Sequence, residues 1–334
     1  MKTFRNTLSF LAIGVIFAFK GYVIVIGQQK PVLVALNKAE ASLSIIDPAT
    51  MTVTGKVATG DGPHEVVLSP DGKTAYVANY GNQTPGNSIS IIDIASAKET
   101  KRVDVAPLVR PHGMQLIGGK LYFTAEANRM IARYDVASNK IDWMMGSGQT
   151  GTHMVAGLPD HKKFVTANIG SDSISIFEFA NGAGAPGPSK ITHVTVGKQP
   201  EAVDLSPDGK EVWMGLNAEG MVEVVDATTY KSVAKINTNG RPYRVRFTPD
   251  GKFVVCTMVN SKDVLIIDAG TRKELKRIKL ESVPLGITFA AGGKTVYVTV
   301  VEPDAVLKIN LDSGEVTGRV VTGSGPDGIA VAGT

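Results

Sequence analysis

Five histidines occur in the 334 residues, and three of them share one kind of position. His64 and His112 each follow a proline and His153 follows Thr152, and each opens a mainly apolar run. The corresponding place further along the chain holds Glu201, Tyr243, Leu285 and Asp327, each again after a proline. Three imidazoles and a carboxylate suit a divalent transition ion such as Zn²⁺, Cu²⁺, Ni²⁺ or Fe²⁺, with room left for water or substrate. His64, His112, His153 and Glu201 are therefore the candidate metal ligands, and an ion there would acidify water or polarise a carbonyl. The intervals of 48 and 41 residues between these histidines match no local zinc motif. The residues meet only if the fold superposes like positions of a repeated unit. The same position also suits a plainer role, in which each imidazole hydrogen-bonds the backbone of a neighbouring unit. His161 and His193 fall at a turn and near an outer strand and stand apart from this pattern.

Charged side chains gather around the same position. Arg110 and Arg241 precede two of the opening prolines, Arg244 lies two residues after Pro242, and Glu126 falls in a loop expected on the same face. Asn79, Asn168 and Asn217 occupy similar loops. Such a rim suits an anionic or carbonyl-bearing small ligand, with arginine as a bidentate carboxylate clamp. Arg110, Arg241, Tyr243, Arg244 and Glu126 are the candidate ligand-binding residues, and a merely solvated polar mouth would have the same composition.

The elements that would position these residues are short strands in a repeat. Residues 63–93 read as strand, turn, strand, loop, strand, with Pro70 and Gly72 in the turn supplying a fixed φ and a positive φ. An apolar run ending in an acidic or amide residue recurs seven times, closing at Asp47, Asp93, Asp135, Glu178, Asp226, Asp268 and Asn310. The spacing of 42 to 48 residues, with about four short strands per unit, marks propeller blades. The two signals are offset. The chain opens on a third-strand copy and ends on an inner strand at Pro326–Val331, so the last blade combines the C-terminus with residues 31–58. That interlock closes a ring without a free sheet edge. An all-β, seven-bladed β-propeller is the expected fold. Two insertions break the period: Asn82–Asn87 on the face carrying the candidate residues, and Asn181–Ser189 on the opposite one.

The stretches PHEVVLSPDGKTAYVAN at 63–79, PEAVDLSPDGKEVWMGLN at 200–217 and PYRVRFTPDGKFVV at 242–255 carry a resemblance. Over residues 31–332 the chain resembles the YVTN-repeat β-propellers, relatives of the bacterial lactonase-like propellers. Propellers host many unrelated functions, so the resemblance bears on the fold first. It implies one activity, hydrolysis of a cyclic ester or a related lyase step. His112, His153, Glu126, Arg110 and Arg241 would then supply the base, the carboxylate clamp and the oxyanion stabiliser.

Residues 1–27 read as a targeting segment. Lys2 and Arg5 make a basic start, Leu8–Phe19 is apolar and Lys20 interrupts a full membrane span. A secreted or periplasmic protein is expected, with residues 28–334 forming the propeller, and an uncleaved membrane anchor is the alternative. The formal charge of +4 falls to about +1 once Lys2, Arg5 and Lys20 are removed, leaving 32 basic against 31 acidic residues. No overall basic field then draws phosphate, which argues against nucleic acid. Single-stranded DNA would have to rely on Arg110, Arg129, Arg133, Arg241, Arg244 and Arg246. A small molecule or a partner protein on the histidine face, bound by a monomer, is the expected partner. The single cysteine, Cys256, sits in an apolar run, permits no internal disulfide and reads as an inert buried thiol. Nucleophile-elbow, phosphate-loop, dinucleotide-binding and haem-attachment motifs are missing from the sequence.

Overall fold

The computed structural model describes residues 30–333; the expected leader at residues 1–27 lies outside them. Seven four-stranded antiparallel sheets make a closed propeller. The inner strands are Pro63–Leu68 (blade 1), Pro111–Ile117 (blade 2), Thr152–Gly157 (blade 3), Pro200–Leu205 (blade 4), Pro242–Phe247 (blade 5), Val283–Phe289 (blade 6) and Pro326–Ala332 (blade 7). Blade 7 takes its remaining strands, Val32–Asn37, Ser42–Asp47 and Thr52–Ala58, from the other end of the chain. Val331 pairs with Leu33 and Ile329 with Ala35, so the expected closure is present.

Local sequence explains each hairpin. In blade 1, Gly72 at φ 61° returns its N–H to Ser69 O at 2.7 Å, while Ser69 Oγ donates to Asp71 and accepts from Thr74 N. The same turn recurs at Gly209 and Gly251. Where the turn sequence is degraded the geometry survives: His161, at φ 59°, takes the glycine's place in blade 3 and donates its N–H to Leu158 O. The acidic ends of the third strands cap the turns beyond them. Asp47, Asp93, Asp135, Asp226 and Asp268 each accept backbone N–H bonds from residues two or three further on. Buried apolar side chains fill the space between neighbouring sheets; Ile176 and Val165 of blade 3, for instance, join Met214 and Val203 of blade 4.

One irregularity is common to all seven blades. The opening residue of the inner strand pairs with the end of the second strand, as in Pro63 with Asn79 and Pro242 with Met258. The register then slips by one residue. A bulge re-aims the side chains after it. It falls just where the three histidines stand. Inner strands also approach closely there: a Cβ on Gly286 would meet Asp327 O at 2.2 Å, and one on Gly328 would meet His64 O at 2.5 Å. Thr299 and Thr124 tie the neighbouring blade at this level, donating to the Asp327 and His153 carbonyls at 2.7 and 2.6 Å.

Candidate functional site

The bulged positions meet at one mouth of the central channel. The His64 and His112 ring centroids are 4.4 Å apart, and His112 stacks on His153 at 3.7 Å. His153 Nε2 lies 3.7 Å from Glu201 Oε1, His64 Nδ1 lies 3.0 Å from Asp327 Oδ2, and the Tyr243 hydroxyl donates to Asp327 at 3.3 Å. Five of the seven equivalent residues thus touch a ring neighbour, Tyr243 reaches past blade 6 to Asp327, and Leu285 contributes its carbonyl, which accepts from Thr257. All three histidines are buried.

A second circle surrounds the first. It is built in four blades from the residue that follows the second-strand partner of the opening proline: Lys38, Tyr80, Glu126 and Asn217. Lys38 Nζ lies 2.5 Å from His64 Nε2. Tyr80 meets His64 and His112 edge-on at 5.4 and 5.2 Å and donates its hydroxyl to Glu126 at 2.9 Å. Glu126 Oε2 lies 2.6 Å from His153 Nδ1, and Asn217 Nδ2 donates to Glu201. The inserted loop at 82–87 begins a prolonged hairpin, in which Gly81 pairs with Pro85 beside Tyr80. The other insertion is pinned away from the mouth, where Ala183 bonds to His161 and Arg133.

Below the ring, the channel is crossed by an ion pair. Arg244 Nη2 from blade 5 donates to Glu65 Oε1 of blade 1 and lies 3.6 Å from Asp327 Oδ1. Beneath it a cavity of about 280 Å³ runs toward the far mouth, where Arg246 stands 3.5 Å from Asp204. His64, Glu65 and His112 hold ligand atoms that all lie within 4.8 Å of one another. Glu65 joins because the bulge sets it beside His64 rather than on the opposite side of the strand.

Burial sorts the charges. It lowers His64 to about 4 and takes His112 well below the ordinary imidazole value, so both rings are neutral and keep a lone pair. Burial acts the same way on His153, but the Glu126 and Glu201 carboxylates outweigh it and raise that ring to about 9. Desolvation raises the Glu65 carboxyl, with Arg244 pulling against it. Tyr80 is pushed up to about 12 by burial and the adjacent Glu126. Four ring nitrogens at the mouth are buried without a hydrogen-bond partner: His64 Nδ1, whose nearby carboxylate lies off the line a bond needs, both nitrogens of His112, and His153 Nε2.

The four candidate metal ligands therefore share the mouth but divide by charge. His64 and His112 are neutral beside Glu65, while His153 is an imidazolium between Glu126 and Glu201. Of the ligand-binding candidates, Arg110 stacks on Tyr80 at 4.6 Å, Arg241 is exposed near Glu201, and Glu126, Tyr243 and Arg244 are bound into the two circles. For a lactone-opening reaction, a protonated His153 offers an acid rather than a base, and His112 has no orienting partner. Asn79 and Asn168 are not rim residues. Both are buried inside their blades, where their amides donate to Ser88 and Ser90 and to Ser173 and Ser175. The six arginines of the DNA reading do not share one face: Arg133 pairs with Asp142 in an outer strand and Arg246 lines the lower cavity. Cys256 is buried, as expected. Lys38, Tyr80 and Glu65 escaped the sequence reading.

Residues 17–133 and 184–334 match the profile of the YNCE-like β-propellers. The chain belongs to that family. No curated protein matches the sequence. Among solved structures, this YNCE-like propeller is similar to a functionally unknown protein from Desulfotomaculum acetoxidans at 12% identity and TM-score 0.76, over 90% of this chain and 98% of that one. It is also similar to Kuenenia stuttgartiensis hydrazine synthase at 20% identity and TM-score 0.66, over 92% and 99% of the two chains. A third likeness is to the dihydro-heme d1 dehydrogenase NirN in complex with DHE, at 16% identity and TM-score 0.64, over 88% of this chain and 64% of that one. At these identities the likenesses show the fold.

Proposed function

We propose that this YNCE-like propeller binds a divalent transition ion at the channel mouth through His64, Glu65 and His112. The observation that carries the reading is His112: both of its ring nitrogens are buried and unpartnered, 4.4 Å by ring centroid from a second neutral imidazole. A buried polar group without a partner costs about 1–3 kcal/mol, and a fold retains it where something else supplies the partner. Two neutral imidazoles and one carboxylate are the donor set of an open zinc-type site, and affinity would follow the order in which Cu²⁺ exceeds Ni²⁺ and Zn²⁺, with Fe²⁺ weaker. Three protein ligands leave a position for water or a small ligand. His153, held between Glu126 and Glu201, sets a positive charge beside that position, which favours an anionic ligand there. The proposal includes export, with residues 1–27 removed, which N-terminal sequencing of the recovered protein tests. Metal content after purification without chelators, followed by calorimetric titration of chelator-treated protein with Zn²⁺, Ni²⁺ and Cu²⁺, tests the site. One ion per chain is expected, bound about a hundredfold or more weakly in His112→Leu.

A further inference from the structure

Lys38 opens the short turn Lys38–Glu40 of blade 7 and reaches across to blade 1, where its Nζ stands 2.5 Å from His64 Nε2. The other nitrogen of that ring faces Asp327 Oδ2 at 3.0 Å. An ammonium can only donate, so the contact with Lys38 puts the lone pair on Nε2 and the ring proton on Nδ1, the side that faces the Asp327 charge. A metal ion that takes His64 through Nε2 must take it from Lys38.

Metal uptake would also unbalance the charges at the mouth. Lys38, Arg110, Arg241 and Arg244 face Glu65, Glu126, Glu201 and Asp327 there, and a divalent ion adds two positive charges to that set. Buried charge without compensation is costly. Arg241 is exposed and has no ion pair among the described residues, and Arg110 is half-buried over Tyr80. We infer that Lys38 is a resident cation in the metal's place: metal uptake expels its ammonium from His64, and the freed ammonium joins Arg110 and Arg241 in holding an anionic oxygen ligand on the metal. The inference rests on the metal reading of the mouth. The lysine stem is flexible and Lys38 is half-buried, so the head group can leave toward solvent. Linkage makes the coupling reciprocal, so the anion also tightens the metal.

Cobalt(II) tests this, because its ligand-field bands report both steps. Chelator-treated protein is titrated with Co²⁺, and the loaded, desalted protein is then titrated with malonate and with inorganic phosphate, in the parent and in Lys38→Met. Lys38→Met is expected to bind Co²⁺ about tenfold tighter and then to bind either anion about tenfold more weakly. A side chain with only a structural role would not move the two constants in opposite directions. If the parent takes up no Co²⁺, the metal reading fails and this inference with it. If Co²⁺ binds and Lys38→Met leaves both constants within about twofold, the resident-cation role is overturned while the metal site stands. Anion binding of equal strength to metal-free protein, or stripping of Co²⁺ by the anions, likewise overturns the coupling.

Discussion

Replacing Arg244 with methionine removes the cation that ties blade 5 to blade 1 across the channel. The guanidinium is buried, donates to Glu65 and lies 3.6 Å from Asp327, so its loss leaves two carboxylates without their strongest partner. Breaking a buried pair by removing one member costs about 3–5 kcal/mol. At about 2–4 °C per kcal/mol, Arg244→Met should melt roughly 6–20 °C below the parent in scanning calorimetry. The double variant Arg244→Met, Glu65→Gln should regain a good part of that loss, because no charged Glu65 is then stranded. The deficit also depends on pH. Burial already raises the Glu65 carboxyl and Arg244 opposes it, so without Arg244 the folded state holds a proton on Glu65 to higher pH. Arg244→Met should therefore be less impaired near pH 5 than near pH 8. A melting point within about 1 °C of the parent, or strictly additive losses in the double variant, would refute the cross-channel tie.

The remaining expectations concern single groups. His153 is raised from 6.5 to about 9. Its contribution is complete below about pH 6.5 and lost as pH rises to about 9, on the order of 3 kcal/mol, so His153→Gln should flatten the alkaline limb of a stability–pH curve. Cys256, buried with its thiol pushed up to about 12, should resist a disulfide reagent in the native protein and react with one equivalent after denaturation. Arg110 adopts φ 55°, the conformation that Gly62, Gly151 and Gly325 adopt before their own inner strands. Arg110→Gly should melt close to the parent, within about 1 kcal/mol, whereas Arg110→Val should melt clearly lower; equal melting points would contradict the strain.

The ring was legible because blade symmetry turns a linear alignment into neighbourhood. Prolines marked where inner strands begin, and the aspartates ending third strands marked turns that the structure shows them capping. The tier beneath was not legible. Strict strand alternation would place Glu65 opposite His64, and only the bulge, which leaves no sequence signature of its own, puts both at the axis. Arg244 meets Glu65 across 179 residues and three blade steps, a distance fixed by ring diameter rather than by repeat spacing. Asn79 and Asn217 look equivalent in sequence, yet Asn217 lies one residue past its strand and so reaches Glu201, while Asn79 closes its own blade. Charge division among the histidines required the carboxylates around each ring: Glu126 and Glu201 for His153, none bonded to His112.

Zinc titration into chelator-treated protein, comparing the parent with His112→Leu, bears most directly on the metal trio. One ion per chain at micromolar affinity or tighter, weakened about a hundredfold or more in His112→Leu with the fold intact, is the predicted result. An absence of uptake by the parent, or equal affinity in both proteins, would contradict it.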